Sequence, residues 1–202
     1  MSVYRDRQHH HQHQIEARGI SLNVNTYGQP SQPPLVLIHG WMDCADSWQF
    51  VLEELQQDWY VITPDQRGFG RSEWQDGGYW FPDYLADLET ILDELVGEHP
   101  VNLVGHSLGG NVASLYAGVR PDRVSKLVSV EGFGLPFIEA DDAPARYGKW
   151  LDQLKQPPTL RDYDDFDALA ARLKRNNPFL TAERAARLAQ AWGQEINGRV
   201  II

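Results

Sequence analysis

The 202-residue sequence predicts an α/β protein, built on a mostly parallel, doubly wound sheet with flanking helices and a helical cap after the sixth strand. Three observations predict it. Continuous apolar runs alternate with segments long enough for a helix. Those runs lack odd-even alternation, as strands do in a sheet covered on both faces. After Gly132 the strand-helix alternation stops and only helical candidates follow.

Taken in order, residues 1–14 hold His9, His10, His11 and His13 among glutamines, without apolar periodicity. They read as a disordered tail rather than a metal site. Ile20, Leu22 and Val24 alternate with polar residues, which suits a half-exposed strand at a sheet edge, and Gly28-Gln29-Pro30 ends it. The runs at 35–38, 60–63, 101–104 and 124–130 are the buried strands, and helices fit 47–57, 82–96 and 108–119. In the second of these, Tyr84, Leu85, Leu88, Ile91, Leu92 and Leu95 recur at three and four, giving one face toward a sheet. Such a fold places its site at the carboxyl ends of the strands. A core at 15–131 is then followed by a cap at 132–202, with helices at 146–155, 166–175 and 182–196 broken at Pro157-Pro158 and Asn177-Pro178.

The bulk numbers exclude some function classes. A formal net charge of −10 without a basic stripe disfavours nucleic acid and anionic membrane surfaces. The single cysteine, Cys44, excludes an intrachain disulfide and a thiolate metal cluster, and fits a reducing compartment. No apolar run nears the roughly 20 residues of a membrane span. A soluble, cytoplasmic protein without metal or cofactor is the expectation.

Chemistry concentrates in loops that follow strands. Gly105-His106-Ser107-Leu108-Gly109 fits G-x-S-x-G between strand 101–104 and helix 108–119. A sharp turn there pushes the serine hydroxyl into a cleft, and glycine on each side lets the backbone close. A helix N-cap role for Ser107 leaves both glycines unexplained. His39-Gly40-Trp41 follows strand 35–38. Acyl transfer needs two backbone N–H donors aimed at the developing oxyanion, each worth about 2.7–4 kcal/mol. Leu108 and Trp41 are the natural donors, with Gly40 allowing close approach and His39 as packing. Asp65 to Ser72, after strand 60–63, reads as a glycine-rich turn held by an ion pair from Asp65 to Arg67 or Arg71.

The HGW loop, the DQRGFGRS turn and GHSLGG, in this order, resemble the α/β-hydrolase superfamily in its esterase, lipase and haloperoxidase-like branch with a helical cap. Serine at 107 departs from the haloalkane dehalogenases and epoxide hydrolases of that fold, which use aspartate there. Val130-Glu131-Gly132-Phe133-Gly134 is similar to serine-hydrolase-like members. The resemblance implies the chain order nucleophile, acid, histidine, with two further strands after the cap. The sequence is expected to stop before those strands and the histidine, leaving 124–130 as a sheet edge open to self-association. Glu131, at the end of the sixth strand, is a candidate acid because some members place it there.

Two classes of function follow. The first is a serine hydrolase of carboxylic esters or related acyl compounds, or a cofactor-free haloperoxidase or perhydrolase using the same residues, acting on a small-molecule acyl substrate. The second is a non-catalytic or truncated binding module. The resemblance leaves substrate, acid and oligomeric state open.

Overall fold

The computed structural model describes residues 10–75, 78–134, 137, 139–156 and 162–202. These form two compact units, one ending at Phe133 and one running from Gly134 to Ile202. The first nine residues and the Pro157-Pro158 break lie outside the described residues.

The first unit is built on one six-stranded sheet. Its strands are β1 (His10–Ala17), β2 (Ile20–Tyr27), β3 (Pro34–Ile38), β4 (Tyr60–Pro64), β5 (Val101–His106) and β6 (Val124–Val130), in the order β1-β2-β4-β3-β5-β6. From β4 through β6 the pairing is parallel, and β1 and β2 join antiparallel. The apolar run of β3 feeds both faces. Val36 and Ile38 join Leu103, Leu88, Leu92, Val112 and Tyr116 in one core layer, under α2 (Phe81–Leu95) and α3 (Leu108–Val119). Leu35 and Leu37 pack with Val61, Trp48 and Leu52 on the other face. A strand buried on both faces therefore shows no alternation.

Three expectations for this unit are corrected. His10–Gln14 do not belong to a disordered tail: they open β1, which pairs with β2 along its full length, from His10↔Tyr27 to Ala17↔Ile20. Arg18 and Gly19, with φ of 52° and 83°, close the two-residue hairpin. Consequently β2 is an interior strand and not an edge. Its polar face is buried rather than solvated, with Asn23 0% and Asn25 1% exposed, and their amides donate to Asp65 (2.8 Å) and Asp46 (3.2 Å). The helix expected at 47–57 shrinks to a 3-10 turn, Ala45–Trp48, and one α turn, α1 (Gln49–Leu52). Burial of Trp48 and Leu52 one turn apart accounts for those turns, and the polar residues 56–58 offer no apolar face to extend them.

The second unit contains α4 (Ala143–Lys155), α5 (Phe166–Asn176) and α6 (Ala182–Trp192), but it is not purely helical. β7 (Asp162–Tyr163), β8 (Gln194–Ile196) and β9 (Arg199–Ile201) make a small antiparallel sheet in the order β7-β9-β8. The helix expected to reach 196 stops at Trp192, where Gly193 turns to extended backbone (φ −85°, ψ 143°) and leads into β8, paired with β9. Asn197 and Gly198, at φ 53° and 75°, then turn the chain back. That dipeptide is a hairpin signal. Leu169, Leu173, Ala189 and Val200 form this unit's core. Among the described residues no helix is long and apolar enough to cross a membrane.

Candidate active site

β5 ends at His106 and α3 begins at Leu108, so Ser107 alone makes the turn, at φ 50° and ψ −112°. A non-glycine residue there stores roughly 1–3 kcal/mol of strain, tolerated only where its surroundings over-determine it. Here they do. The Ser107 N–H donates to Val130 O of β6 at 2.8 Å, and Asn111 N–H donates to Ser107 O at 3.0 Å, anchoring both sides of the turn. Gly105 and Gly109 must stay bare, because a Cβ on Gly105 would collide with the Gly109 carbonyl and one on Gly109 with the Ile38 carbonyl. The Ser107 side chain makes no helix-capping hydrogen bond.

The loop after β3 comes close to this turn. A Cβ built on Gly40 would lie 2.8 Å from His106 Nδ1 and 3.4 Å from Ser107 Cβ, so a side chain here would have to displace the His106 ring. Trp41 follows, 64% exposed. Leu108 opens α3, where first-turn N–H groups have no intrahelical acceptor.

His39 is wholly buried and held at both ring nitrogens. Nδ1 bonds to Gly40 O at 2.8 Å and Nε2 accepts from Gln66 N–H at 2.9 Å, while the Gln66 amide donates to His39 O at 2.7 Å. Accepting from a main-chain N–H leaves Nε2 unprotonated and puts the ring proton on Nδ1. Burial lowers its pKa, with the Asp65 and Asp43 carboxylates opposing. It is a strut between two loops. His106 lies beside Gly40, with Nε2 3.8 Å from Glu131 Oε2. Glu131 sits at φ 58° and is largely exposed. His99 precedes β5, so the strand's six residues separate it from Ser107 by roughly 20 Å.

The glycine-rich turn differs from expectation. Neither Arg67 nor Arg71 pairs its guanidinium with Asp65. The Asp65 carboxylate instead accepts from Ala45 N–H (2.7 Å), Asn23 Nδ2 (2.8 Å) and Arg71 N–H (3.0 Å), and Gly70 packs against it too closely for any side chain. Arg71 reaches Asp46. Arg67, 1% exposed, makes a bidentate pair with Asp87 of α2 at 2.5 and 2.6 Å, with Asp83 at 3.6 Å. Burial pushes the Asp87 carboxyl up, against the pull of Arg67. Sequence reading missed Asn23, Gln66, Asp83 and Asp87. Only Asp87 carried a signal, a polar residue three and four positions from the apolar Tyr84 and Ile91.

The geometry can be set beside known proteins. The family model described as alpha/beta hydrolase fold matches residues 33–188. The chain belongs to the α/β-hydrolase family. This α/β-hydrolase chain is 27% identical over 184 residues to a serine hydrolase-like protein of Danio rerio, covering 88% of the chain and 56% of that protein. It is 30% identical over 198 residues to the AB hydrolase superfamily protein YfhM of Bacillus subtilis, covering 89% and 67%. Among solved structures, the thioesterase domain from the curacin biosynthetic pathway superposes with a TM-score of 0.85 at 31% identity, covering 95% of the α/β-hydrolase chain and 68% of the domain. The chain thus spans between about half and two thirds of these relatives' lengths. Among its described residues no group of three or more His, Cys, Asp or Glu could hold a metal ion.

Proposed function

We propose that Ser107 is the nucleophile of a serine hydrolase acting on small carboxylic esters or related acyl compounds. The observation that carries this is the strained, non-glycine turn at Ser107 between β5 and α3, clear of any capping role and flanked by glycines that cannot be replaced. The serine oxygen adds to the acyl carbon, and the leaving alcohol or thiol departs with a proton, giving an acyl-enzyme that water cleaves. The main-chain N–H groups of Trp41 and Leu108 would receive the oxyanion. A thioesterase domain among the neighbours of the same fold supports acyl transfer. Glu131 is the candidate acid, and the reading extends to a soluble, cytoplasmic protein.

The described histidines do not supply a base: His39 is locked, His106 lies against Gly40 and Glu131, and His10, His11 and His13 lie on β1, at the far edge of the sheet. That favours a second reading, a binding module of the same fold. One experiment addresses both. The 202-residue chain and Ser107→Ala are treated with a fluorophosphonate and assayed on a nitrophenyl ester. The expected result is an adduct on Ser107 by peptide mass spectrometry, absent from the variant, with acceleration no greater than about 10³–10⁴ over water. Absence of the adduct, or an adduct elsewhere, overturns the nucleophile assignment and leaves the binding module. Turnover of hundreds per second would reveal a base among these residues.

A further inference from the structure

In a disordered tail His10, His11 and His13 would share no fixed geometry; on β1 they do. Successive side chains of a strand point to opposite faces. Ile15 and Ala17 mark one face of β1, since both lie in the core, and by alternation His11 and His13 project from that same face where its apolar residues run out. His10 belongs to the other face, where its ring packs on Tyr27, its direct partner in β2, at 5.6 Å. The cross-strand contacts agree. Thr26 stands directly opposite His11, and the His13 ring reaches that same residue, with Nε2 2.9 Å from Thr26 Oγ1. The direct partner of His13 is Val24. Its ring therefore leans along the strand toward His11, across the diagonal that aromatic side chains can span.

We propose that His11 and His13 form a two-point site for a divalent first-row transition ion, Cu²⁺ above all, with water completing the coordination. Two residues along a strand is roughly 6.6 Å, a span that two imidazoles close onto one ion at about 2.0–2.1 Å from each nitrogen. His11 is exposed and supplies one nitrogen. His13 is prepared by Thr26. When its Nε2–H donates to the Thr26 hydroxyl, Nδ1 carries the lone pair for the ion, and an outer partner of this kind fixes both tautomer and ring orientation. Thr26 is itself held, 2% exposed and hydrogen-bonded to the buried Tyr60 hydroxyl. Neutral imidazole suits Cu²⁺, Ni²⁺ and Zn²⁺, and the stability order puts Cu²⁺ first. Mg²⁺ and Ca²⁺ need oxygen ligands, and the carboxylate of β1, Glu16, alternates onto the face of His10. The site is independent of the Ser107 assignment, because β2, β4 and β3 stand between β1 and β5. A bound ion does for the outer half of this edge strand what the core does for Ile15 and Ala17: it holds two side chains to one face.

The test is titration of the 202-residue chain, with no histidines added, by CuCl₂, followed by calorimetry and electron paramagnetic resonance. The spectrum of the first equivalent should carry nitrogen couplings from two imidazoles, falling to one in His11→Gln and in His13→Gln. Either substitution should weaken binding by at least about 10- to 100-fold, the range that loss of an outer partner alone commonly costs. Thr26→Val should weaken it by about ten-fold and Thr26→Ser should keep it, which separates positioning of the His13 ring from general damage to β2. His10→Gln, on the opposite face, should bind as the wild type does. Amide hydrogen exchange at residues 10–14 should slow when Cu²⁺ is added to the wild type, and should not in His11→Gln. Affinity that falls as far with His10→Gln as with His11→Gln, or that is untouched by His13→Gln, means a flexible histidine-rich segment and overturns the site. So does the absence of saturable binding, displacement of Cu²⁺ by millimolar Mg²⁺, or exchange at 10–14 that the metal leaves unchanged.

Discussion

Single residues in this chain do their work by what they exclude. Gly40, Gly105 and Gly109 leave room for main chain at the Ser107 turn, and His39 excludes its own protonation by spending both nitrogens on main-chain partners. The last point makes stability depend on pH. An unfolded histidine titrates near 6.5, whereas buried His39 stays neutral to lower pH, mainly because burial disfavours the cation. Below about pH 6.5 the unfolded chain therefore binds the extra proton, and stability rises with pH through that window. The contribution is fully present above about pH 6.5 and is lost as pH falls below it. His39→Gln should flatten this dependence between pH 5.5 and 7.5 in urea midpoints, and at pH 7.5 it should cost about 1–3 kcal/mol for the broken buried hydrogen bonds. An unchanged slope in the variant would show that another group titrates.

At the scale of elements, the turn after β4 is tied to α2 by Arg67. Its guanidinium and the Asp83 and Asp87 carboxylates are nearly all buried, so the cluster holds the turn in place only while it is complete. Arg67→Met strands the buried Asp87 carboxylate, while Asp83 keeps its pair with Arg18 at 3.2 Å, and should cost about 3–5 kcal/mol in chemical denaturation. Adding Asp87→Leu should recover a large part of that loss, because a well-packed apolar pair is often no worse than a buried ion pair. If the double variant is as unstable as the single one, the cluster is not held together by charge. The motif DQRGFGRS places both arginines within reach of Asp65 along the chain, and nothing in it shows that α2 will bring Asp87 across twenty residues instead.

For the whole molecule, the open edge of the large sheet is the dominant feature. β6 ends the strand order, and Leu127, Val128 and Val130 on it, with Leu115 and Val119 on α3, are at least 40% exposed. A strand paired on one side only, with apolar groups on both faces, is a template for another chain. Self-association through β6 is therefore expected, as a sedimentation coefficient that grows with concentration. Val128→Lys, which sets a charge on the edge, should return the chain to a monomer. A wild-type chain that sediments as a monomer at all concentrations would contradict this.

Much of the plan was legible in the sequence, because strands buried on both faces leave uninterrupted apolar runs and a sharp strand-to-helix turn demands glycines at fixed offsets. The parallel sheet and the placing of Ser107 between β5 and α3 follow from such local rules, whereas the run at 124–130, expected as a buried strand, forms β6 within those limits but is exposed along most of its length. Other features depended on neighbours distant in sequence. Whether the alternating strand at 20–27 met water or β1 was decided by a hairpin partner whose histidines and glutamines have no apolar pattern, and its buried asparagines read as solvent-facing until Asp65 and Asp46 were seen to receive them. The helical period before Asn197-Gly198 extends past the true helix end, although this dipeptide carries the turn chemistry of a hairpin. Periodicity reports how a segment's own side chains divide between two faces. Only the tertiary structure decides what covers each face, since a polar residue is equally satisfied by water or by a buried partner brought from elsewhere in the chain.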